Sequence, residues 1–169
     1  MAGNMFVKFD TIKGECEDRE HKGWSEITSV KQTFSNDASP IGTESDKISS
    51  THSEIEIEKY LDSASVRLMV ASWFGDVIEK VTIQCFRDGG TGGSGYGPGR
   101  TKYFEIILKQ VIIQEYEYEG KEDDIATESL KLVAAEASYS YDRLLKDENR
   151  TEKTGAARIN LEDNKITIG

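Results

Sequence analysis

The sequence has few of the residues that support covalent or metal-dependent chemistry. It contains two cysteines, two histidines and two prolines among 169 residues. A zinc site needs three or four ligands, and two distant cysteines without CxxC spacing are typical of reduced, buried thiols. We therefore expect no metal ion and no disulfide between Cys16 and Cys85.

The sequence also has no long apolar run and no excess of basic residues. No segment approaches the length that spans a bilayer, and the first ten residues lack the basic and apolar regions of a signal peptide. These features predict a chain that begins in the cytoplasm. The formal charge is -10, with 31 acidic against 21 basic residues, which argues against binding to nucleic acid or to an anionic membrane. The length and the 37% hydrophobic content fit one domain, residues 1–169.

Motifs of known catalytic sites are missing as well. There is no nucleophile elbow, no HExxH and no catalytic grouping of Cys and His. Residues 89–99 are rich in glycine, which can cradle a phosphate. A P-loop does not fit, however, because Ser94 stands at its first glycine, Arg100 replaces its lysine and a strand is predicted to follow. A hairpin connection is favoured over a nucleotide site, and we expect neither a cofactor nor an enzyme.

What the sequence does contain is one amphipathic helix within residues 54–76. Ile55 and Ile57 alternate with glutamates, the pattern of a half-buried strand. The period then changes and predicts a short helix over about residues 62–74, which Asp62 or Ser63 can cap and Gly75 can end. The predicted apolar face is wide and contains Leu61, Ala64, Val66, Leu68, Met69, Val70, Ala71 and Trp73. We expect this face to cover an opening in a sheet or barrel.

The other apolar segments are rich in Val, Ile, Tyr, Phe and Thr, and they predict strands. The predicted strands cover residues 5–10, 24–34, 77–86, 101–119, 127–141, 158–161 and 165–168, with a charged loop over 144–154. Segment 101–119 is apolar on both faces and predicts a bent strand shared between two sheets. A change of apolar side near Ala134 and Ala135 predicts a bulge. The fold class is thus mainly β, with two packed sheets, one short helix and a long extended loop.

Two polar segments are predicted to be loops. In residues 14–24, Glu15, Asp18 and His21 could be read as a metal or acid–base cluster. The favoured interpretation is a hydrogen-bonded loop that Trp24 pins to the domain. The second loop, residues 35–53, is long and polar, and its isolated Ile41 and Ile48 are either docking points for a partner or ordinary loop packing.

Several short motifs, in order from residue 5 to residue 141, together resemble the Hcp proteins, the haemolysin-coregulated tube subunits of bacterial type VI secretion systems. They are Met5–Phe9, the set Gly14, Glu15, Asp18, His21 and Trp24, the strand-to-helix junction with Tyr60, Asp62 and Leu68, the stretch Arg87-Asp88-Gly89-Gly90, and the late strand from Glu128 to Tyr139. Departures are Cys16, where the family commonly has a small hydroxyl residue, the long glycine run, and residues 143–169, which match no pattern.

The resemblance implies a β-barrel-like subunit without catalytic activity that forms hexameric rings. The rings would stack into the inner tube of the secretion machine, contact its sheath, spike and baseplate proteins, carry effector proteins in the lumen, and leave the cell without a signal peptide. A phage-type tail-tube protein has a similar fold and is the alternative within this class. A ligand-binding β module, for instance for sugars, is the alternative from another class.

The resemblance also implies a role for the long loop, because the corresponding loop of the family contacts the neighbouring ring. We expect Ile41 and Ile48 to bury against that neighbour, since apolar anchors supply affinity. Glu44, Asp46 and Lys47 would set the register of stacking through their charges.

Overall fold

The computed structural model describes residues 4–36, 50–52, 54–88, 100–145, 150–160 and 165–169. These residues form eleven strands and one helix: β1 Met5–Phe9, β2 Ser25–Glu26, β3 Ser29–Lys31, β4 Phe34–Asn36, β5 Ser50–His52, β6 Ile55–Tyr60, α1 Ser65–Phe74, β7 Ile78–Asp88, β8 Arg100–Lys121, β9 Asp124–Leu145, β10 Arg150–Asn160 and β11 Lys165–Ile168. The predicted mainly β fold with one helix is confirmed. The stacking residues Ile41, Glu44, Asp46, Lys47 and Ile48 and the glycine run 89–99 lie outside the described residues.

Nine of the strands form one branched sheet around the long hairpin of β8 and β9. The first half of β9 pairs with β6, and its second half pairs with β10. Strand β8 pairs with β9 along most of its length and with β7 from Arg100 to Val111. The segment 101–119, predicted to be shared between two sheets, lies within β8 and belongs to this one sheet. The strand that changes partner along its length is chiefly β9.

The sheet closes into a barrel-like shape through the short segment from β2 to β3. Strand β2 pairs with β1, and β3 pairs with β6. Between them, the Ile27 amide donates to the Met5 carbonyl at 3.0 Å and the Thr28 amide donates to the Glu58 carbonyl at 2.8 Å. The single strand predicted over residues 24–34 is thus three short strands, because this segment passes from one edge of the sheet to the other.

The core lies inside this curved sheet, and its side chains form rows that cross six strands. Residues paired in register point to the same face of a sheet. One row contains Phe9, Val81, Leu108, Ala137, Ile159 and Ile166, and the next contains Val7, Ile83, Ile106, Tyr139, Ala157 and Ile168. Both rows are buried from β1 to β8, partly exposed at β10 and strongly exposed at β11. The apolar side of the sheet that faces the core therefore extends onto β10 and β11, past the part that the core covers.

The central hairpin bends at Gln110, which has a φ of 53°. Between Ile106 and Ile113 of β8, the buried residues are even-numbered before this point and odd-numbered after it, as in Leu108 and Val111. In β9 the buried residues also move from one side of the strand to the other at this level. The register shift of the hairpin lies elsewhere, near Gln114 of β8, between the pairs of Ile113 and Glu115. The bulge predicted at Ala134 and Ala135 is therefore wrong in position. The apolar side changes there because both strands bend together, and β9 contains no extra residue at this point.

The helix begins three residues later than predicted and buries a narrower face. Gly75 ends it at a φ of 67°, as predicted, and its amide donates to the Ala71 carbonyl. Leu68 and Ala71 are buried, whereas Val66, Val70 and Trp73 are exposed. The predicted wide buried stripe is thus wrong for the isolated subunit, because the barrel opening accepts only one side of the helix.

The C-terminal part is more regular than the sequence predicts. Strand β11, Lys165–Ile168, has the predicted bounds. The segment 144–154, predicted to be a charged loop, is strand wherever it is described, because β9 reaches Leu145 and β10 starts at Arg150. Pairing with a long neighbouring strand outweighs the weak strand propensity of this segment.

Candidate functional site

The loop from Gly14 to Trp24 folds tightly against the outside of the barrel. The Gly14 amide donates to the Gly23 carbonyl at 2.8 Å, and the Cys16 amide donates to the Trp24 carbonyl at 2.9 Å. A Cβ atom at Gly14 would lie 2.3 Å from the Trp24 carbonyl oxygen. Only glycine fits at that distance, so the family motif has a steric reason at this position.

His21 is the centre of this loop and is buried. Its Nδ1 lies 2.8 Å from Asp18 Oδ1 and its Nε2 lies 3.0 Å from Gln84 Oε1. The imidazole stacks on Phe6 with a centroid distance of 4.0 Å and meets the Trp24 ring edge-on at 4.9 Å. His21 therefore joins the loop to β1 and β7 through both hydrogen bonds and ring packing.

Arg100 completes this cluster from the start of β8. Its guanidinium forms an ion pair with Asp18 and lies 5.5 Å from the centroid of the Phe6 ring. Burial raises the pKa of the Asp18 carboxyl, but the hydrogen bonds from His21 and Arg100 outweigh burial and lower it below its usual value. Asp18 is thus held as a carboxylate between two donors. The arrangement supports a structural role of His21 and Asp18 in joining the loop to the barrel.

A second polar cluster lies at the opening of the barrel, where the helix begins. Lys59 is fully buried, and its Nζ lies 2.5 Å from Glu128 Oε1 and 2.8 Å from Asp62 Oδ1. The same ammonium donates to the Tyr60 carbonyl at 3.0 Å. Buried charges are tolerated only when paired and hydrogen-bonded, and this lysine uses all three of its donors.

The two carboxylates of this cluster tie four other elements to the lysine. Ser65, the first helical residue, donates to Glu128 at 3.0 Å, and Tyr116 of β8 also donates to Glu128. Ser25 of β2 donates to Asp62 at 2.5 Å. Burial and the neighbouring carboxylate of Glu128 raise the pKa of the Tyr116 hydroxyl far above its usual value. The cluster holds the start of the helix to strands β2, β6, β8 and β9.

Asp62 also prepares the first turn of the helix. Its Oδ1 accepts from the Ala64 amide at 2.9 Å, while its own amide donates to Ser65 Oγ at 2.8 Å. Such reciprocal bonds satisfy amide groups that a helix start leaves unpaired. The predicted cap by Asp62 or Ser63 is wrong, because the N-cap residue is Ala64 and no side chain caps the helix there. Asp62 instead holds the turn before the helix, and Ser63 donates to the Lys13 carbonyl at 3.4 Å.

The remaining residues of the predicted motif have different surroundings. Leu68 is fully buried in the main core. Glu15 and Tyr60 are exposed and line one open cleft together with Asp62. The structure thus brings Gly14, Asp18, His21 and Trp24 together, while Glu15 lies apart from that loop cluster.

Sequence reasoning did not predict the roles that Lys59, Glu128, Tyr116 and Arg100 have in these clusters. For Lys59 a signal was present, because the alternation with Ile55 and Ile57 places it on the core-facing side of β6. Glu128 alternates with Leu130 and Leu132 in the same way. A charged residue on the apolar side of each of two strands indicates that the two are partners, since an unpaired buried charge is costly.

Neither cluster has the features of a reaction centre. Their charged and polar groups bind to one another, and no group of three or more His, Cys, Asp or Glu side chains in the described ranges could hold a metal ion. Both cysteines are free and buried, Cys85 in the main core and Cys16 beside Phe6 and Phe86. No helix in the described part of the chain is long and apolar enough to cross a membrane.

The surface feature that stands out is the outer side of α1. Its apolar side chains face solvent, and Trp73 is 86% exposed. A cleft beside it is lined by valines of α1 and of the turn after it, by residues of the turn after β1, and by the charged residues Arg67, Asp76 and Glu79. Helices that are apolar on all sides are normally covered on all sides, and large exposed apolar patches mark interaction sites. We define the helix outer face as Val66, Val70, Trp73 and Phe74.

Comparison with known proteins agrees with this arrangement of barrel, loop and helix. Residues 6–141 match the model of one family, described as the type VI secretion system effector Hcp. The match includes both polar clusters and the helix. No curated protein matches the sequence.

Among solved structures, a type six secretion system protein aligns with a TM-score of 0.84 at 20% identity, covering 98% of this chain and 100% of the other. Hcp1 from Salmonella typhimurium aligns with a TM-score of 0.71 at 20% identity, covering 99% and 100%. A type VI secretion system effector from Yersinia pestis aligns with a TM-score of 0.69 at 18% identity, covering 92% and 98%. At these identities the structural likeness shows a shared fold.

Proposed function

Since the chain belongs to the Hcp family of type VI secretion system effectors, we propose that it is a structural subunit of the inner tube of such a system. Its copies form hexameric rings, the rings stack into a tube, and effector proteins occupy the lumen. The tube is assembled in the cytoplasm and leaves the cell through the secretion machine. Its partners are further copies of itself and the sheath, spike and baseplate proteins.

The observation that carries this proposal is the uncovered helix outer face. Exposing large apolar side chains to water is unfavourable by about 25 cal/mol per Å², and this chain concentrates four of them on one side of its single described helix. An assembly that covers them is therefore favoured. A tube of repeated subunits provides such cover on every copy.

The C-terminal residues belong to the same domain in this proposal. Strand β10 pairs with β9 over ten residue pairs, and β11 pairs with β10. These strands extend the family-matched region rather than follow it as a separate unit. We therefore treat residues 1–169 as a single tube domain.

The oligomeric state tests the proposal. Purified protein at micromolar concentration should elute from size exclusion with the light-scattering mass of a hexamer, and electron microscopy should show rings. A monomer under these conditions would contradict the tube function and favour a ligand-binding β module. Assembly into tubes without a type VI machine would instead favour the phage-type alternative.

The proposed subunit has no catalytic activity and no nucleotide site. Arg100, which follows the glycine run, forms an ion pair with Asp18 and packs over Phe6 and Phe86. This surrounding supports a structural role for its guanidinium. Tight ATP binding by the wild-type protein that is lost in Arg100→Ala would contradict the proposal.

Stacking of the rings is assigned to the loop between β4 and β5. The strands on either side of this loop pair with each other, with Asn36 opposite Ser50, so the two ends of the loop lie next to each other. Replacing residues 40–48, which include Ile41, Glu44, Asp46, Lys47 and Ile48, with a short Gly-Ser linker should leave the hexamer intact and abolish tube formation and secretion. If the variant is a monomer, the loop belongs to the ring interface instead.

A further inference from the structure

The C-terminal hairpin extends the barrel sheet beyond its own core. We define the arm as β10 and β11, and the arm face as Ala157, Ile159, Ile166 and Ile168. Register places these four side chains on the same side of the sheet as the core residues Leu108 and Ile106. Ile166 is 63% exposed and Ile168 is 81% exposed. The β11 end of the arm face is thus a core-type surface that none of the described residues covers in the single subunit.

Part of this surface is covered from within the chain, and that part ends before the tip of the arm. Tyr139 of β9 donates to Gln32 Oε1 at 2.8 Å, and its ring meets Phe34 edge-on at 6.1 Å. Gln32, Phe34 and Ile159 also line one apolar cleft. The exposed remainder, at β11, lies at one end of the strand order in the part of the sheet that the structure describes. An apolar strand at a sheet edge invites pairing or cover by another chain.

The helix outer face and the arm face share an electrostatic property that is unusual for this chain. None of the residues that define the two faces is charged, and Arg67 is the one charged residue of the helix Ser65–Phe74. Carboxylates lie only around the helix outer face, where Asp10, Asp76 and Glu79 line the cleft beside it. The whole chain has a formal charge of -10. Copies of so acidic a protein repel each other over most of their surface, so contact between copies is favoured where carboxylates are missing.

The two faces also suit each other in shape and in symmetry. A sheet that is apolar on one side is commonly covered by a helix, and α1 presents an uncovered apolar side. A closed ring requires two different surfaces on each copy, because its contacts are head-to-tail. The helix outer face and the arm face are different surfaces of one chain.

We propose that the arm of one copy packs its apolar face on the helix outer face of the next copy, and that this contact closes the ring. The proposal rests on the ring of the proposed function and assigns its interface. The occupant of each face is a second copy of this chain.

Two charge-introducing variants test the assignment separately. Trp73→Glu places a carboxylate in the helix outer face, and Ile168→Glu places one in the arm face. Both side chains are exposed in the single subunit, so neither change should unfold it. Each variant alone should be a monomer at concentrations where the wild type is a ring, with self-association weakened by about 100-fold or more because a carboxylate is buried without a partner. Circular dichroism should match that of the wild type.

Thr167→Glu is the matched control for the arm. It adds the same charge to the same strand, but its side chain points to the opposite face, beside Arg158 of β10. This variant should form rings as the wild type does.

Mixing the two variants distinguishes head-to-tail contact from other arrangements. Trp73→Glu retains an intact arm face and Ile168→Glu retains an intact helix face, so an equimolar mixture should form a heterodimer by light scattering and no ring. If each variant alone forms a dimer, the contact is symmetric and the assignment is wrong. If both variants still form rings, or form rings that no longer stack, the two faces do not close the ring and the assignment is wrong, while the tube function stands. A monomeric wild type would instead overturn the proposed function itself.

Discussion

Replacing Lys59 with methionine is expected to destabilise the subunit severely. Methionine has a similar length, so the change removes the charge and leaves little empty space. It leaves Glu128, which is fully buried, without the ammonium that lies 2.5 Å from it, and Asp62 without the same ammonium at 2.8 Å. Breaking a buried ion pair by removing one partner costs about 3–5 kcal/mol. That is a large fraction of the roughly 5–15 kcal/mol that stabilises a domain.

The magnitude follows from how many groups depend on this lysine. Ser65 and Tyr116 still donate to Glu128 after the change, so the carboxylate keeps two hydrogen bonds but no neutralising charge. Asp62 keeps the Ser25 hydroxyl and the Ala64 amide. The loss is therefore expected near the middle of the range, about 4 kcal/mol, and the start of the helix should open first.

Urea unfolding followed by circular dichroism measures this loss, with every variant at one protein concentration because assembly raises apparent stability. The control is Lys109→Met, since Lys109 lies 3.4 Å from Glu136 at an exposed site and exposed pairs contribute little. The double variant Lys59→Met/Glu128→Met should lose less than the sum of the two single variants by about 0.5–3 kcal/mol, because it removes the unpaired charge. An equal effect of Lys59→Met and Lys109→Met would refute the buried cluster as the anchor of the helix.

Three further substitutions or measurements test other parts of the structure. Gly14→Ala should cost about 1–3 kcal/mol, because its Cβ would lie 2.3 Å from the Trp24 carbonyl oxygen; thermal melting checks this, and an unchanged melting temperature would contradict the close contact. His21→Phe should retain the stacking on Phe6 but remove the ring nitrogens that hydrogen-bond Asp18 and Gln84, so that Asp18 keeps only its other partners such as Arg100, at a cost of about 1–3 kcal/mol in urea unfolding; a neutral result would mean that ring packing alone holds the loop. Burial raises the pKa of the Cys85 thiol to about 11, so Cys85 should be protonated at pH 8 and resist alkylation until the protein unfolds; rapid labelling of native protein at pH 8, read by mass spectrometry, would contradict its burial.

The sequence alone determined those features that depend on local patterns. The change from alternation at Ile55 and Ile57 to helical spacing fixed the junction between β6 and α1, and Gly75 fixed the end of the helix, because only a residue free of a Cβ adopts the left-handed conformation easily. The short motifs between residues 5 and 141 were sufficient to identify the family, since they combine several turns and junctions in a fixed order.

The tertiary structure alone decided which of the apolar and charged residues are covered, and by what. Helical spacing groups Trp73 and Val70 with Leu68, but only the opening of the barrel decides that Leu68 is inside and Trp73 is outside. The strand pattern of β6 marks Lys59 as inward-facing, yet its carboxylate partner is 69 positions away at Glu128 and is found only when β6 pairs with β9. Periodicity reports the side to which a residue points, whereas burial depends on pairing between distant segments. For the helix outer face and the arm face, we propose that burial depends on contact between copies of the chain.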